Sequence, residues 1–374
     1  MNHVPQPPDP DRPGCPYIPG FAMQVTEHHP PAPFGQGGYG VPKHRYEISD
    51  SRLGTTPQTQ HVLADPPQET EWPSNTPPRS AVLTITNTIS IGEAHGAQLV
   101  ACHLLSDQEE PYAVVAKIYD ALYYPSHDHG NTPRNPVRDA DCDYSREALA
   151  YRHLETTKRS QKPGFAPKYY GSWTFGLTLT AQGNVHKRPI RLILIERLAG
   201  SSIRDLCTHE SPDPDVANNA YHLNEAYRLD ILANILEGRV KQLYSGLDQN
   251  DLAPRNVMLV PSPQETMLPG PEPRAVLIDY SISIVYEFTK YGRNPFHHLI
   301  RPQNPAERYW SSPPLDLQGW VPSEWFYQDQ RSYQEWLLTR FGGSNAINFA
   351  PIKEKLVFKD EEPDPETHPG RLSF

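Results

Sequence analysis

The pattern of apolar and polar positions predicts a β-rich first half. Strand-like runs lie at residues 83–90, 98–105 and 112–119, and a glycine-bearing turn at residues 91–97 joins the first two. A polar, proline-marked stretch at residues 125–143 predicts a loop. Apolar positions at helical spacing then predict a helix over residues 145–154, and a strand pair follows at residues 173–179 and 192–195.

The pattern in the second half is mostly helical. The longest amphipathic run covers residues 226–244, and two short strands are expected around residues 256–260 and 276–278. After residue 284 the chain looks irregular and aromatic, and we expect its tryptophans to pack in a core. Strands followed by helices are typical of an α+β fold.

Composition changes this picture at the two ends of the chain. Of the 42 prolines among 374 residues, 17 lie in residues 1–79, which we therefore predict to be a disordered tail with PxxP spacings that an SH3 or WW module could bind. Residues 359–374 read as a short acidic tail. One domain is expected between them, at residues 80–358, with a β-rich part at about 80–198 and a helical part at about 199–358.

Charge and cysteine content exclude several function classes. The net charge is −10 and no Lys/Arg run is visible, which argues against a nucleic-acid partner. No apolar stretch reaches the roughly 18–20 residues that span a bilayer, and no signal peptide is evident, so an intracellular protein without a membrane partner is expected. The four cysteines lack zinc-site spacing and predict reduced thiols.

The candidate chemistry lies in a few polar residues beside predicted strands. Asp279 directly follows an apolar strand and is a candidate metal ligand, although such a residue is also typical of a turn or a helix cap. Asp251 and Asn256 are five residues apart. Lys117 stands among β-branched neighbours in a strand, where lysine usually points to solvent, but Glu147 on the following helix could reach back to pair with it.

In this order the residues resemble the protein-kinase-like superfamily. The resemblance implies a bilobal fold with a β-rich N-lobe and a reduced helical C-lobe, and it implies that ATP and Mg²⁺ are bound. It assigns phosphate contact to Lys117, support of that lysine to Glu147, and the catalytic base to Asp251. It further implies Mg²⁺ ligands at Asn256 and Asp279, a phosphate-binding turn at Gly92 and Gly96, and adenine contacts by the backbone of Glu196 and Leu198.

The chain also departs from the family pattern. The turn keeps only two glycines, Gln249-Asn250 stands where the family has His-Arg, and Asp279-Tyr280-Ser281 replaces Asp-Phe-Gly. Arg255, four residues after Asp251, could neutralise a transferring phosphoryl group. The 95 residues after Asp279 leave little room for peptide-binding helices.

Two functions fit these residues. The first is an ATP- and Mg²⁺-dependent phosphotransferase acting on a hydroxyl of an unknown acceptor, with a small-molecule kinase as a variant. The second is a pseudokinase, a nucleotide- or partner-binding module without turnover. The polar residues favour the first function, and the degraded glycine turn favours the second.

Overall fold

The chain divides into two compact units. The computed structural model describes residues 7–35, 37–40, 48–92, 95–106, 110–128, 132–157, 164–208, 218–263 and 273–359. The barrel unit comprises Met1–Leu198, Gln249–Asp251 and Asp279–Gly292, and the second unit comprises Ala199–Asp248, Leu252–Ile278 and Arg293–Phe374. The domain bounds drawn from composition stay a prediction.

Six antiparallel strands form the closed sheet of the barrel unit. They are β1 (Ala22–Glu27), β2 (Ser80–Ser90), β3 (Gln98–Ser106), β4 (Tyr112–Tyr119), β5 (Tyr169–Ala181) and β6 (Asn184–Glu196). Hydrogen-bonded neighbours follow the order β1-β2-β3-β4-β6-β5, and β5 pairs back with β1, so the sheet is closed. Alternate residues face the interior; on β2 these are Ala81, Leu83 and Ile85, all buried.

Closure depends on β1, which lies in the segment predicted to be disordered. Its residues pair with β2 from Ala22 opposite Thr84 to Thr26 opposite Ser80, and Thr26 and Glu27 pair with β5. Met23 and Val25 point inward and are buried, which anchors the strand through apolar contacts as well as ladder hydrogen bonds. Proline content averaged over 79 residues hid this short alternating run.

The predicted bilobal protein-kinase-like fold, with a β-rich N-lobe and a reduced helical C-lobe, is wrong. The finding that overturns it is the closed six-stranded antiparallel barrel, which is accompanied by a small number of helices among the described residues. Strand β1, which lies outside the domain expected at residues 80–358, pairs with both β2 and β5 and so closes the sheet. The six-stranded sheet therefore has no open edge.

Among its described residues the barrel unit has three α-helices: α1 (Asp50–Thr55), α2 (Gln58–Ala64) and α3 (Pro136–Thr156). The α3 helix begins inside the stretch predicted to be a loop. Its start is fixed by Asn135, whose side-chain oxygen accepts hydrogen bonds from the backbone N–H groups of Val137 and Arg138, and by Pro136 in the first turn. Proline here begins the helix rather than excluding it.

A buried charged network inside the barrel unit holds the N-terminal chain. The two terminal guanidinium nitrogens of Arg188 donate to the Asp120 carboxylate, at 2.5 and 2.9 Å, and the Tyr17 hydroxyl donates to the same carboxylate at 2.5 Å. All three side chains are buried. Because a buried charge needs partners, this network fixes the segment before β1 in place.

The second unit is mixed. Its strands are β7 (Ser201–Ser202), β8 (Leu247–Asp248), β9 (Val257–Val260) and β10 (Arg274–Leu277), of which β10, β9 and β7 form a three-stranded sheet; β11 (Ile284–Val285) lies in the barrel unit. Its helices are α4 (Ile203–Leu206), α5 (Glu225–Ser245), α6 (Pro305–Arg308), α7 (Glu324–Tyr327) and α8 (Gln330–Phe341). Trp320 and Trp325 are buried, as expected for packing residues.

None of the described helices is long and apolar enough to cross a membrane. The acidic tail predicted at residues 359–374 lies, except for Lys359, outside the described residues, and so do Pro5 and Gln6 of the proline-rich start. Docking of an SH3 or WW module to that start stays a prediction. The four cysteines are free, with Cys102 and Cys142 buried.

Candidate functional site

Lys117 is the centre of the strongest polar cluster in the barrel unit. It lies near the end of β4, on the strand face that also carries Tyr119, because residues two apart share a face. Only 8% of Lys117 is exposed. Its Nζ lies 2.6 Å from Glu147 Oε2 and 2.7 Å from Asp279 Oδ1, so one ammonium is paired with two carboxylates.

This environment keeps Lys117 charged. Burial lowers the pKa of the ammonium, but the carboxylates of Asp279 and Glu147 outweigh burial and raise that pKa above its ordinary value. Strand β4 therefore carries a fixed positive charge. The position of the Lys117 side chain is set by Glu147 and Asp279 rather than by solvent.

Glu147 is the buried partner, on α3. Its Oε2 also accepts a hydrogen bond from the Tyr119 hydroxyl at 2.7 Å, and its Oε1 accepts one from the backbone N–H of Tyr280 at 3.2 Å. Burial raises the pKa of Glu147, while Lys117 acts in the opposite direction. The carboxylate thus ties α3 both to β4 and to the segment that follows Asp279.

Asp279 is the more accessible partner. Its side chain is 37% exposed, and its backbone is left-handed with φ of 60°, a conformation that aspartate adopts more readily than most residues. Burial raises the pKa of Asp279, but Lys117 and the hydroxyl and N–H of Ser281 outweigh burial and lower the pKa to about 2. Asp279 is therefore an ionised carboxylate that solvent can reach.

Gln249 connects Asp279 to Asp251. The fully buried Gln249 amide donates from Nε2 to the Asp279 carbonyl at 2.7 Å and accepts at Oε1 from the Asp251 N–H at 2.8 Å. One side chain therefore fixes the backbone at both acidic residues. In the sequence, Gln249 stands out only as a departure from the kinase motif, and nothing there indicates that it positions Asp251 and Asp279.

A buried glutamine also shapes the turn between β2 and β3. Gln98 Oε1 accepts from the Gly92 N–H at 2.6 Å, and Gln98 Nε2 donates to the carbonyls of Gly92 and Gly96, both at 3.1 Å. Gly92 has a φ of 119°, which favours glycine. One buried side chain thus forms hydrogen bonds with the backbone of both glycines singled out in the sequence.

Asp143 is an acidic residue near this turn that the sequence reasoning missed. A Cβ added to Gly96 would lie 3.6 Å from Asp143 Oδ2, and the carboxylate accepts hydrogen bonds from Arg146 at 2.9 Å and Tyr124 at 3.4 Å. Burial raises the pKa of Asp143 to about 6, against the opposing effects of Arg146 and Lys117. The signal was its position four residues before Glu147 on one helix face.

The remaining predicted residues are placed as follows. Glu196 ends β6 opposite Val114, and its backbone N–H donates to the Lys168 carbonyl at 2.8 Å; Leu198 is the half-buried last residue of the first segment of the barrel unit. Asn256 and Arg255 belong to the second unit. Asn256 is buried at the end of a 3₁₀ turn, Pro254–Asn256, and Arg255 is exposed.

The structure thus groups Lys117, Glu147, Asp279 and Asp251 in one unit, with Asp143 as an addition. Within the described residues no group of three or more His, Cys, Asp or Glu side chains is arranged to hold a metal ion. An ion bound here would need ligands from a bound molecule as well. Mg²⁺ commonly meets this condition, since it takes one or two carboxylates together with substrate phosphates.

Comparison of the chain with models of protein families and with curated proteins gave no match. The resemblance to the protein-kinase-like superfamily therefore has no support beyond the quoted motifs, and the closed barrel contradicts it.

Proposed function

We propose that the chain is an ATP- and Mg²⁺-dependent phosphotransferase that transfers the terminal phosphoryl group to a hydroxyl acceptor. The observation that carries the proposal is the Lys117 ammonium, buried and fixed between the buried Glu147 and the partly exposed Asp279. The proposal rests on this geometry and not on membership of a family.

The charge balance of the cluster supports a cation and an anion as joint ligands. One ammonium faces two carboxylates, which leaves a net negative charge and favours a divalent cation. At the same time Lys117 offers a fixed positive charge suited to a phosphate oxygen. A magnesium–nucleotide carries both complementary charges.

Each residue has a distinct proposed role. Lys117 holds a phosphate oxygen, and Glu147 keeps the ammonium in place. Asp279, ionised at neutral pH and partly exposed, is the carboxylate that would hold Mg²⁺. Asp251 accepts the proton of the acceptor hydroxyl. The metal role of Asn256, the phosphoryl role of Arg255 and the adenine contacts of Glu196 and Leu198 remain proposals from the sequence.

Phosphoryl transfer is the test. We would incubate the full-length chain with Mg²⁺ and radiolabelled ATP, with protein and polyol acceptors and with water alone, and compare wild type with Asp251→Asn. The matched control is Asp230→Asn, since Asp230 is an exposed aspartate of the second unit that forms an ion pair with Arg340. We expect transfer in wild type and in the control, and a loss of at least a hundredfold in Asp251→Asn.

Two other outcomes have defined meanings. Binding of Mg²⁺–ATP that Asp279→Asn weakens, without transfer to any acceptor above the Asp251→Asn background, would overturn phosphotransfer and leave the alternative of a nucleotide-binding module. Absence of nucleotide binding as well would overturn the proposed function completely.

A further inference from the structure

A short N-terminal segment contacts both α3, which carries Glu147, and the segment that follows Asp279. We call it the strap; its described residues are 34, 35 and 37–40, which follow β1 in the barrel unit. Phe34 and Tyr39 are buried, with 2% and 5% of their surfaces exposed. A segment that buries two aromatic side chains is fixed by packing rather than lying loosely on the surface.

One end of the strap contacts α3. The Cys142 thiol donates to the Phe34 carbonyl at 2.9 Å, and a Cβ added to Gly35 would lie 2.6 Å from Cys142 Sγ. Gly35 also has a φ of 96°. Only glycine permits this close approach. Cys142 precedes Glu147 by five residues on the same helix, so the strap contacts the helix that carries the buried partner of Lys117.

The other end contacts the segment that follows Asp279. The Tyr39 hydroxyl accepts from the Val285 N–H at 2.6 Å and donates at a longer 3.5 Å to the Ser283 carbonyl. The Gly38 carbonyl accepts from the Lys290 N–H at 2.9 Å. Burial raises the pKa of Tyr39 to about 12, so the hydroxyl stays protonated and keeps its donor.

The strap and β11 also pack closely beside Tyr39. A Cβ added to Gly37 would lie 2.6 Å from Ile284 Cγ1, and Val285 is fully buried. Helix α3 itself packs against β11, which is Ile284–Val285. Strap, helix and β11 therefore form one packed layer, and the two carboxylates that bind Lys117 lie on chain segments held by that layer.

We infer that Tyr39 is a positioning residue of the Lys117 site: through the strap it holds α3 and the 283–285 segment so that Glu147 and Asp279 both reach the ammonium. The role of Tyr39 in nucleotide binding rests on the proposed function. Its role in keeping Lys117 paired does not, and the two are measured separately.

The first measurement needs no nucleotide. Acylation of individual lysines in the full-length chain is followed by mass spectrometry at pH 8, with the exposed Lys241 as internal reference. In Tyr39→Phe the buried Val285 N–H loses its partner, a loss that corresponds to about a tenfold change in an equilibrium. We therefore expect Lys117 to react roughly tenfold faster in Tyr39→Phe, because its ion pairs open more often, while Lys241 is unchanged.

The second measurement is the dissociation constant for Mg²⁺–ATP, which we expect to rise by about the same factor in Tyr39→Phe. The control is Tyr327→Phe, which removes a hydroxyl from a side chain 77% exposed in the second unit and should change neither quantity. Cys142→Ala, which removes the strap contact from the helix side, should reproduce the Lys117 effect if Tyr39→Phe folds poorly.

The outcomes separate the two proposals. Faster Lys117 acylation in Tyr39→Phe or Cys142→Ala supports the positioning role even if wild type binds no nucleotide, in which case the proposed function alone fails. Lys117 acylation rates equal to those of wild type and Tyr327→Phe, in folded Tyr39→Phe and Cys142→Ala proteins, would overturn the positioning role whatever nucleotide binding shows.

Discussion

Replacement of Lys117 by methionine tests whether the cluster is an ion-pair site held in the interior. Methionine keeps most of the aliphatic volume, so the main change is loss of the ammonium that neutralises Glu147. Glu147 is 1% exposed and would remain as a buried carboxylate that accepts hydrogen bonds from the Tyr119 hydroxyl and the Tyr280 N–H.

The structure sets the expected magnitude. Removing one partner of a buried ion pair typically costs about 3–5 kcal/mol, and the two remaining hydrogen bonds favour the lower end of that range. Loss of the second pair, to the 37% exposed Asp279, adds less than about 1 kcal/mol because solvent screens it. We therefore expect Lys117→Met to lower the free energy of unfolding of the barrel unit by about 3–4 kcal/mol at pH 7.

The loss should depend on pH in a defined direction. The pKa of Glu147 is already raised in the folded protein, and removal of Lys117 raises it further. The folded state then binds more protons than the unfolded state above the ordinary glutamate pKa, so stability falls as pH rises through that window and recovers on acidification.

The assay is urea denaturation of the full-length chain at pH 7 and pH 5, for wild type, Lys117→Met, Glu147→Gln and the double variant. We expect the double variant to regain most of the stability lost in Lys117→Met, since no buried charge remains. A loss below about 1 kcal/mol in Lys117→Met, with no difference between the two pH values, would refute the reasoning.

Three further changes have expected outcomes. Asp143→Asn should stabilise the barrel unit relative to wild type above pH 6, because a carboxyl whose pKa is raised to about 6 destabilises the fold once ionised; carboxyl ¹³C NMR should find that titration and lose it in the variant. Asp120→Ala should cost about 3–5 kcal/mol by leaving Arg188 buried without its carboxylate, measured by urea denaturation, and a cost under 1 kcal/mol would contradict the buried network. Gln249→Ala should destabilise the barrel unit by about 1–3 kcal/mol, and unchanged denaturation would show that its two hydrogen bonds contribute nothing.

Local patterns predicted the individual elements better than their assembly. The run at residues 98–105 is β3 (Gln98–Ser106), and the amphipathic run at residues 226–244 is α5 (Glu225–Ser245). Both signals are local, since periodicity within one element fixes which face is buried. The α8 helix, in the stretch expected to be irregular, has buried residues at Tyr333, Leu337 and Phe341, a spacing of four that was overlooked among aromatics.

The closure of the barrel could not be predicted in the same way. Strand β1 is stabilised by partners more than fifty residues away in sequence. Its own six residues do not reveal that β2 and β5 each need a neighbouring strand. The composition of the surrounding segment pointed to disorder, while the Tyr17–Asp120 contact that anchors it spans 103 positions in sequence. Tertiary pairing therefore overrode a local compositional signal.

The candidate site shows the same division. The separate positions of Lys117, Glu147 and Asp279 were visible as polar residues beside predicted elements, whereas Asp143, Gln249 and the strap emerged only from contacts. A glutamine carries no charge signal, and its role depends on two backbone groups 28 residues apart, those of Asp251 and Asp279. Sequence reasoning found the three paired charges, Lys117, Glu147 and Asp279, and missed the neighbouring Asp143 and the neutral groups that hold the cluster.

Isothermal titration of the full-length chain with ATP, with and without Mg²⁺, tests the central claim most directly. We expect Mg²⁺-dependent binding in wild type and in Asp230→Asn, and an affinity at least tenfold weaker in Asp279→Asn, which leaves the Lys117–Glu147 pair intact. Absence of binding in wild type, or equal affinity in Asp279→Asn and Asp230→Asn, would contradict the assignment of a nucleotide site to Lys117 and Asp279.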